Sequence, residues 1–242
     1  MHSEELAAKI ERAIARAGTK ERAEKEKAYL KSELAHLGAP VPAVRSVVQS
    51  FRREHGPLDH GALVALVETL WAKPVHELRL AAITLLAADV KELGPHDVPR
   101  LERMLREAKT WALLDPLATS VVGAVVERFP NELAGVLDRW AVDDDFWIRR
   151  AALLALLVPL RRGGGDFDRF ARYADAMLEE KEFFVRKAIG WVLRDTSRKR
   201  PDLVRDWILP RAKRASGVTI REAVKYLAPA DRDAVLAAHR DR

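Results

Sequence analysis

Cysteine is absent from the 242-residue chain, which excludes disulfides, zinc–thiolate sites and thiol nucleophiles, and nothing points to an oxidising compartment. Long apolar runs are also missing, and no uninterrupted stretch approaches the ~20 residues that a membrane span needs. The opening residues, Met1-His2-Ser3-Glu4-Glu5, are polar and acidic with no apolar segment behind a basic start, so no secretory leader is expected and the cytoplasm is the expected location. Alternation of period two is nowhere long enough to argue a strand. The seven histidines are scattered, with no pair four apart and none beside an acid at a convincing ligand spacing. The glycine patterns of phosphate loops, dinucleotide folds and nucleophile elbows do not occur. Neither a metal nor an organic cofactor is expected.

What remains is a chain with 48% apolar and 32% charged residues, the composition of a folded, helix-rich protein that buries a sizeable core. Its formal charge of +6 favours an anionic partner such as nucleic acid, although many basic proteins bind none.

Helical spacing runs throughout. Leu6, Ile10 and Ile14 form one stripe behind a possible Ser3 cap, and a second helix from about Lys20 begins with a charge run that reads as a solvated face. Gly38-Ala39-Pro40, Gly56-Pro57, Lys73-Pro74 and Gly94-Pro95 then separate helices near 41–54, 59–72, 75–91 and 95–107. The second half reads as helices near 110–128, 131–141, 145–158, 166–180, 182–196, 201–214 and 217–227, with Gly163-Gly164-Gly165 as a loop insertion.

A repeat underlies this pattern. Val44-Arg45, Leu78-Arg79, Ile148-Arg149, Val185-Arg186 and Ile220-Arg221 each open the same motif, in which an aliphatic residue and an arginine are followed by a variable residue and a small or branched one. The arginines are separated by 34, 70, 37 and 35 residues. The 70 hides one copy, centred on Leu114-Asp115, which places Asp115 in the variable slot held elsewhere by Leu80, Arg150, Lys187 and Glu222. The expected fold is all-α, a single domain over 1–242 built as an α-solenoid of HEAT-like helical pairs, curved, with equivalent slots aligned along a concave DNA-binding face.

The recurring arginines read as structural, bonding carbonyls or acids between neighbouring helices. Arg150 and Lys187 vary between repeats and are the better functional candidates. Trp71, Trp140 and Trp207 sit among aliphatic neighbours and read as packing residues. Trp111, four residues before Asp115, and Trp191, four after Lys187, share helix faces with those slots. Periodicity leaves them open between a surface role and filling gaps between repeats. The run Arg194, Arg198, Lys199, Arg200, Arg205, Arg211, Lys213 and Arg214 is dense enough for a phosphate backbone and equally suits a solvated end.

Three segments carry a family resemblance. Thr110-Trp111 with Asp115, Phe146-Trp147-Ile148-Arg149-Arg150-Ala151-Ala152, and Phe183-Phe184-Val185-Arg186-Lys187-Ala188-Ile189-Gly190-Trp191, in that order and at those distances, resemble the DNA alkylation repair family of HEAT-like alkylpurine DNA glycosylases across nearly the whole chain. The resemblance implies release of 3-methyladenine and 7-methylguanine from duplex DNA. It implies that Asp115 is the catalytic carboxylate, that Trp111 and Trp191 contact the sugar and lesion, that Arg150 clamps a phosphate and that Tyr29 lies at the DNA surface. It further implies that the lesion stays stacked. Lys187 and Arg194 join these as expected DNA contacts, and double-stranded DNA carrying alkylated bases is the expected partner of a monomer.

The residues suit that chemistry. A purine alkylated at N3 or N7 is cationic and leaves readily, so a carboxylate that stabilises an oxocarbenium-like sugar and places a water suffices. Pro116 is a departure, since a proline this far into a helix should kink it. The alternative reading is a non-catalytic HEAT-type module that binds branched or damaged DNA or a protein partner.

Overall fold

The computed structural model describes residues 3–240. The architecture is all-α. β-Structure among the described residues is limited to an isolated parallel bridge between Ala35 and Val75. The chain divides into two compact units, one running to Arg100 and taking in Glu107–Leu117, the other made of Leu101–Arg106 and the chain from Ala118 onward.

In the first unit, the helix His60–Trp71 buries Leu63, Leu66, Val67, Leu70 and Trp71, a stripe at i, i+3, i+4, i+7 and i+8. Asp59 starts this helix by accepting the Ala62 amide at 2.8 Å. The stripe packs against the helices Ser3–Arg16 and His76–Ala88. Each fully buried leucine there contributes about 1.5–3 kcal/mol. The helix Lys20–Leu30 is different, because it buries no side chain, as its charge run foretells.

In the second unit, the helix Phe183–Ser197 buries Val185, Ala188, Ile189, Val192, Leu193 and Thr196 on one face. It packs against Phe146–Leu154, Leu157–Arg161 and Gly217–Ala223. Gly190 permits the last contact: a Cβ there would meet Glu222 Cβ at 2.8 Å and the Thr219 Cα at 3.2 Å. The short helix therefore sits closer than any side-chain-bearing residue at 190 allows.

Side chains one repeat apart tie each unit together. Arg52 reaches Asp89 and His60 reaches Asp97, both 37 residues on. In the second unit Arg106 reaches Asp143, also 37 on, and Arg169 bonds the Ala134 carbonyl 35 back. Trp71 and Trp140, both buried, donate their indole N–H to Glu107 at 2.5 Å and Glu102 at 2.8 Å, and Trp207 is buried too. The three are packing residues.

The motif arginines split into two groups. Arg79 donates to the Glu107 carbonyl at 2.8 Å, Arg149 to the Asp144 carbonyl at 2.9 Å, and Arg186 to the Glu180 carbonyl. Arg45 and Arg221, the first and last copies, are exposed, so the structural reading holds for the inner three.

Two prolines reshape helices drawn as continuous from sequence. Pro116 has no N–H to give the Ala112 carbonyl, and the α-helix Trp111–Pro116 passes into a wider π-helical segment, Leu117–Val122, before Gly123–Arg128. Pro159 likewise cannot bond the Ala155 carbonyl, and the expected helix 145–158 is two pieces, Phe146–Leu154 and Leu157–Arg161.

Candidate functional site

The expected site residues fall in both units, and each set has its own local construction. In the first, Thr110 caps the helix Trp111–Pro116 by accepting the Ala112 amide at 3.4 Å. Leu113 and Leu114 point into the core, which leaves Trp111 and Asp115, four apart, on the other face. Asp115 is half-buried. Trp111 is 37% exposed, and Tyr29, at 75%, stands edge-on to it with ring centroids 6.2 Å apart. A partly exposed indole one turn from a carboxylate, with a largely exposed tyrosine against it, is unusual for residues that normally seek burial.

The loop beyond Tyr29 is fixed from below. Glu77 is buried, and its carboxylate accepts the amides of Leu37 at 2.9 Å, Gly38 at 2.6 Å and Ala39 at 3.2 Å. Gly38 has φ +76°, and a Cβ there would collide with the Thr19 carbonyl at 2.1 Å. The turn therefore demands glycine. His76, beside Glu77, is buried and stacks on His36 at 4.6 Å. Burial pushes its imidazole down to about 4, and His36 is lowered for the same reason.

In the second unit, two of the cations expected to contact DNA, Lys187 and Arg194, are held by acids. Lys187 forms an ion pair with Glu222, and Arg194 Nη1 donates to the other Glu222 oxygen at 2.5 Å. Burial pushes the Glu222 carboxyl up, but bonds from Lys187 and Arg194 outweigh this and hold it below its ordinary value. Asp195, buried beneath, accepts Trp191 Nε1 at 3.1 Å, Arg194 Nε at 3.1 Å and Arg161 Nε at 2.8 Å. Trp191 is thus half-buried and oriented through its indole N–H.

Arg150 is 3% exposed; it donates to the Phe184 carbonyl, with its guanidinium 5.9 Å from the Phe184 ring centre. The family resemblance implies that this residue clamps a phosphate, whereas here its guanidinium is buried against Phe184.

The basic run downstream is mostly committed within the fold. Arg211 and Arg214 bond Asp175 at 2.9 and 3.0 Å, Arg205 bonds Asp206 at 2.9 Å and Arg200 bonds the Gly164 carbonyl at 2.5 Å. Lys199 and Lys213 are exposed.

The geometry missed from sequence is the acid side of the second set, Glu222 and Asp195. A signal was present, since Glu222 occupies the same repeat slot as Lys187, 35 residues on, with opposite charge.

Similarity to known proteins bears on the family and the fold. A solved structure from Enterococcus faecalis, described as a predicted DNA alkylation repair enzyme, is 25% identical with a TM-score of 0.77, over 88% of this chain and 97% of that one. The crystal structure of AlkD2 from Streptococcus mutans shares the fold at 18% identity and a TM-score of 0.60, over 85% of this chain and 99% of that one. No curated protein matches the chain. The family model described as DNA alkylation repair enzyme matches residues 10–227, so the chain belongs to the family of DNA alkylation repair enzymes.

Proposed function

We propose that residues 1–242 act as one functional domain, a DNA glycosylase that hydrolyses the N-glycosidic bond of N3- or N7-alkylated purines in duplex DNA. The observation that carries this reading is Trp111 and Asp115 on one face of a short helix, with Tyr29 of the helix Lys20–Leu30 standing edge-on to Trp111. In the proposed reaction the bond from C1′ to the purine breaks and its electron pair leaves with the base, which alkylation had made cationic. The sugar becomes oxocarbenium-like, and the Asp115 carboxylate stabilises it and takes the proton of the water whose oxygen bonds to C1′. The electron-rich face of Trp111 favours the same positive charge, and Tyr29 supports that ring edge-on. In the second unit, Trp191 serves as an aromatic contact to the duplex. Lys187 and Arg194 exchange Glu222 for phosphate oxygens, while Arg150 adds positive potential from beneath.

The test compares the protein with Asp115→Asn on methylated duplex DNA, following both free purine and duplex affinity. Purine release that falls by about 10²–10³ in the variant with affinity retained supports the proposal. Duplex binding without release from the parent protein overturns it and leaves a DNA-binding module.

A further inference from the structure

Three side chains outside the proposed repair site converge on one point in the first unit. His60 opens the helix His60–Trp71, and His96 and Asp97 lie in the 3-10 turn Pro95–Asp97. They are brought together by the same one-repeat step that ties the rest of the fold, which is why no local ligand spacing announces them. His60 Nε2 lies 3.2 Å from His96 Nε2 and 3.2 Å from Asp97 Oδ2. His96 Nε2 lies 3.3 Å from that same Asp97 oxygen. The three atoms make a nearly equilateral triangle. A tetrahedral ion about 2.0–2.1 Å from each ligand atom holds those atoms roughly 3.3–3.4 Å apart, the same edge to within a tenth or two of an ångström.

The surroundings fit a cation. Asp97 is 0% exposed, and the Gly94 amide donates to Oδ2 at 3.0 Å while Arg100 bonds Oδ1 at 2.5 Å. Arg100 thereby fixes the carboxylate, and both of its oxygens face His60 Nε2, Oδ1 at 3.0 Å and Oδ2 at 3.2 Å, while Oδ2 is the one shared with His96. The rings are tilted by 57°, so they meet nitrogen to nitrogen and are not stacked. Two Nε2 atoms in mutual contact share at most one proton between neutral rings, whereas a metal ion accepts a lone pair from both. The His96 side chain is 69% exposed, which gives solvent access to the triangle. Among the described residues, the other grouping of this kind, Glu26, His36 and Glu77, is already accounted for, because the Glu77 oxygens hold the amides of the 37–39 turn.

We propose that His60, His96 and Asp97 form a binding site for a late first-row divalent cation of the Zn2+ type, through two imidazole Nε2 atoms and one carboxylate oxygen, with the fourth tetrahedral position open to water. Titration of the full-length protein with Zn2+ alone, by calorimetry, and with Co2+, by its visible tetrahedral absorption, tests this. One equivalent binds, with tetrahedral Co2+ bands. His96→Ala, an exposed change that leaves the fold intact, weakens binding by roughly tenfold or more, as does His60→Ala. His36→Ala binds as the parent does. Equal binding by the parent and His96→Ala, absence of binding by the parent, or loss of binding in His36→Ala would each overturn the assignment.

Discussion

Lys187 and Glu222 occupy the same slot of successive repeats and form an ion pair, with Arg194 closing on the second carboxylate oxygen. The protein thus carries its own acid where the proposed function needs a phosphate. Glu222→Gln should release Lys187 while Asp195 still holds Arg194, so duplex affinity rises several-fold at low salt and the slope of log K against log salt steepens by about one phosphate's worth. Fluorescence anisotropy over a salt series measures both, and an unchanged slope would show that Lys187 does not meet the backbone.

Trp111 is 37% exposed and meets the Tyr29 ring edge-on, so Trp111→Ala removes part of its packing and should cost about 1–2 kcal/mol of stability. If its ring stabilises a cationic sugar, purine release falls roughly tenfold while duplex affinity changes less. A single-turnover assay alongside a thermal melt separates the two. Equal release by variant and parent removes Trp111 from the mechanism.

Gly190→Ala places a Cβ 2.8 Å from Glu222 Cβ. Overpacking of this kind costs typically 1–3 kcal/mol. For a chain of this size each kcal/mol lowers the melting temperature by about 2–4 °C. Calorimetry checks this, and an unshifted melt would mean that the helix Gly217–Ala223 gives way freely.

Acid should act first through His76. The folded protein keeps this imidazole neutral down to about 4, while the unfolded chain protonates it near 6.5. Acid therefore favours the unfolded chain across that interval: stability is full above pH 6.5 and declines as pH falls to about 4, by up to about 3 kcal/mol. His76→Phe should flatten this stretch of a denaturant-midpoint profile. A second decline follows from Glu102, which its bond from Arg139 and those from Arg106 and Trp140 hold at about 2 against burial, compared with 4.5 for the free group. Its contribution is present above 4.5 and is lost as pH falls toward 2.

Much of this was legible in the chain. Apolar periodicity and the Gly-Pro punctuators locate the helices closely, because buried stripes and proline stereochemistry are local properties. The missing motif arginine singles out Asp115 by register alone. The π-segment after Pro116 and the break before Leu157 were not legible: a proline announces that a bond is lost, but how the helix absorbs the loss depends on its neighbours. The burial of Arg150 and the meeting of His60 with His96 and Asp97 likewise depend on how one repeat stacks on the next, which no residue states by itself.

The ties that recur near 37 residues also govern how the chain can be assembled. Each closes a loop of similar length, so the entropic cost of adding a helical pair stays nearly constant along a unit. Arg106 can find Asp143 as soon as that much more polypeptide has left the ribosome. Synthesis and folding of such a unit can therefore advance together, repeat by repeat, from the N-terminal side.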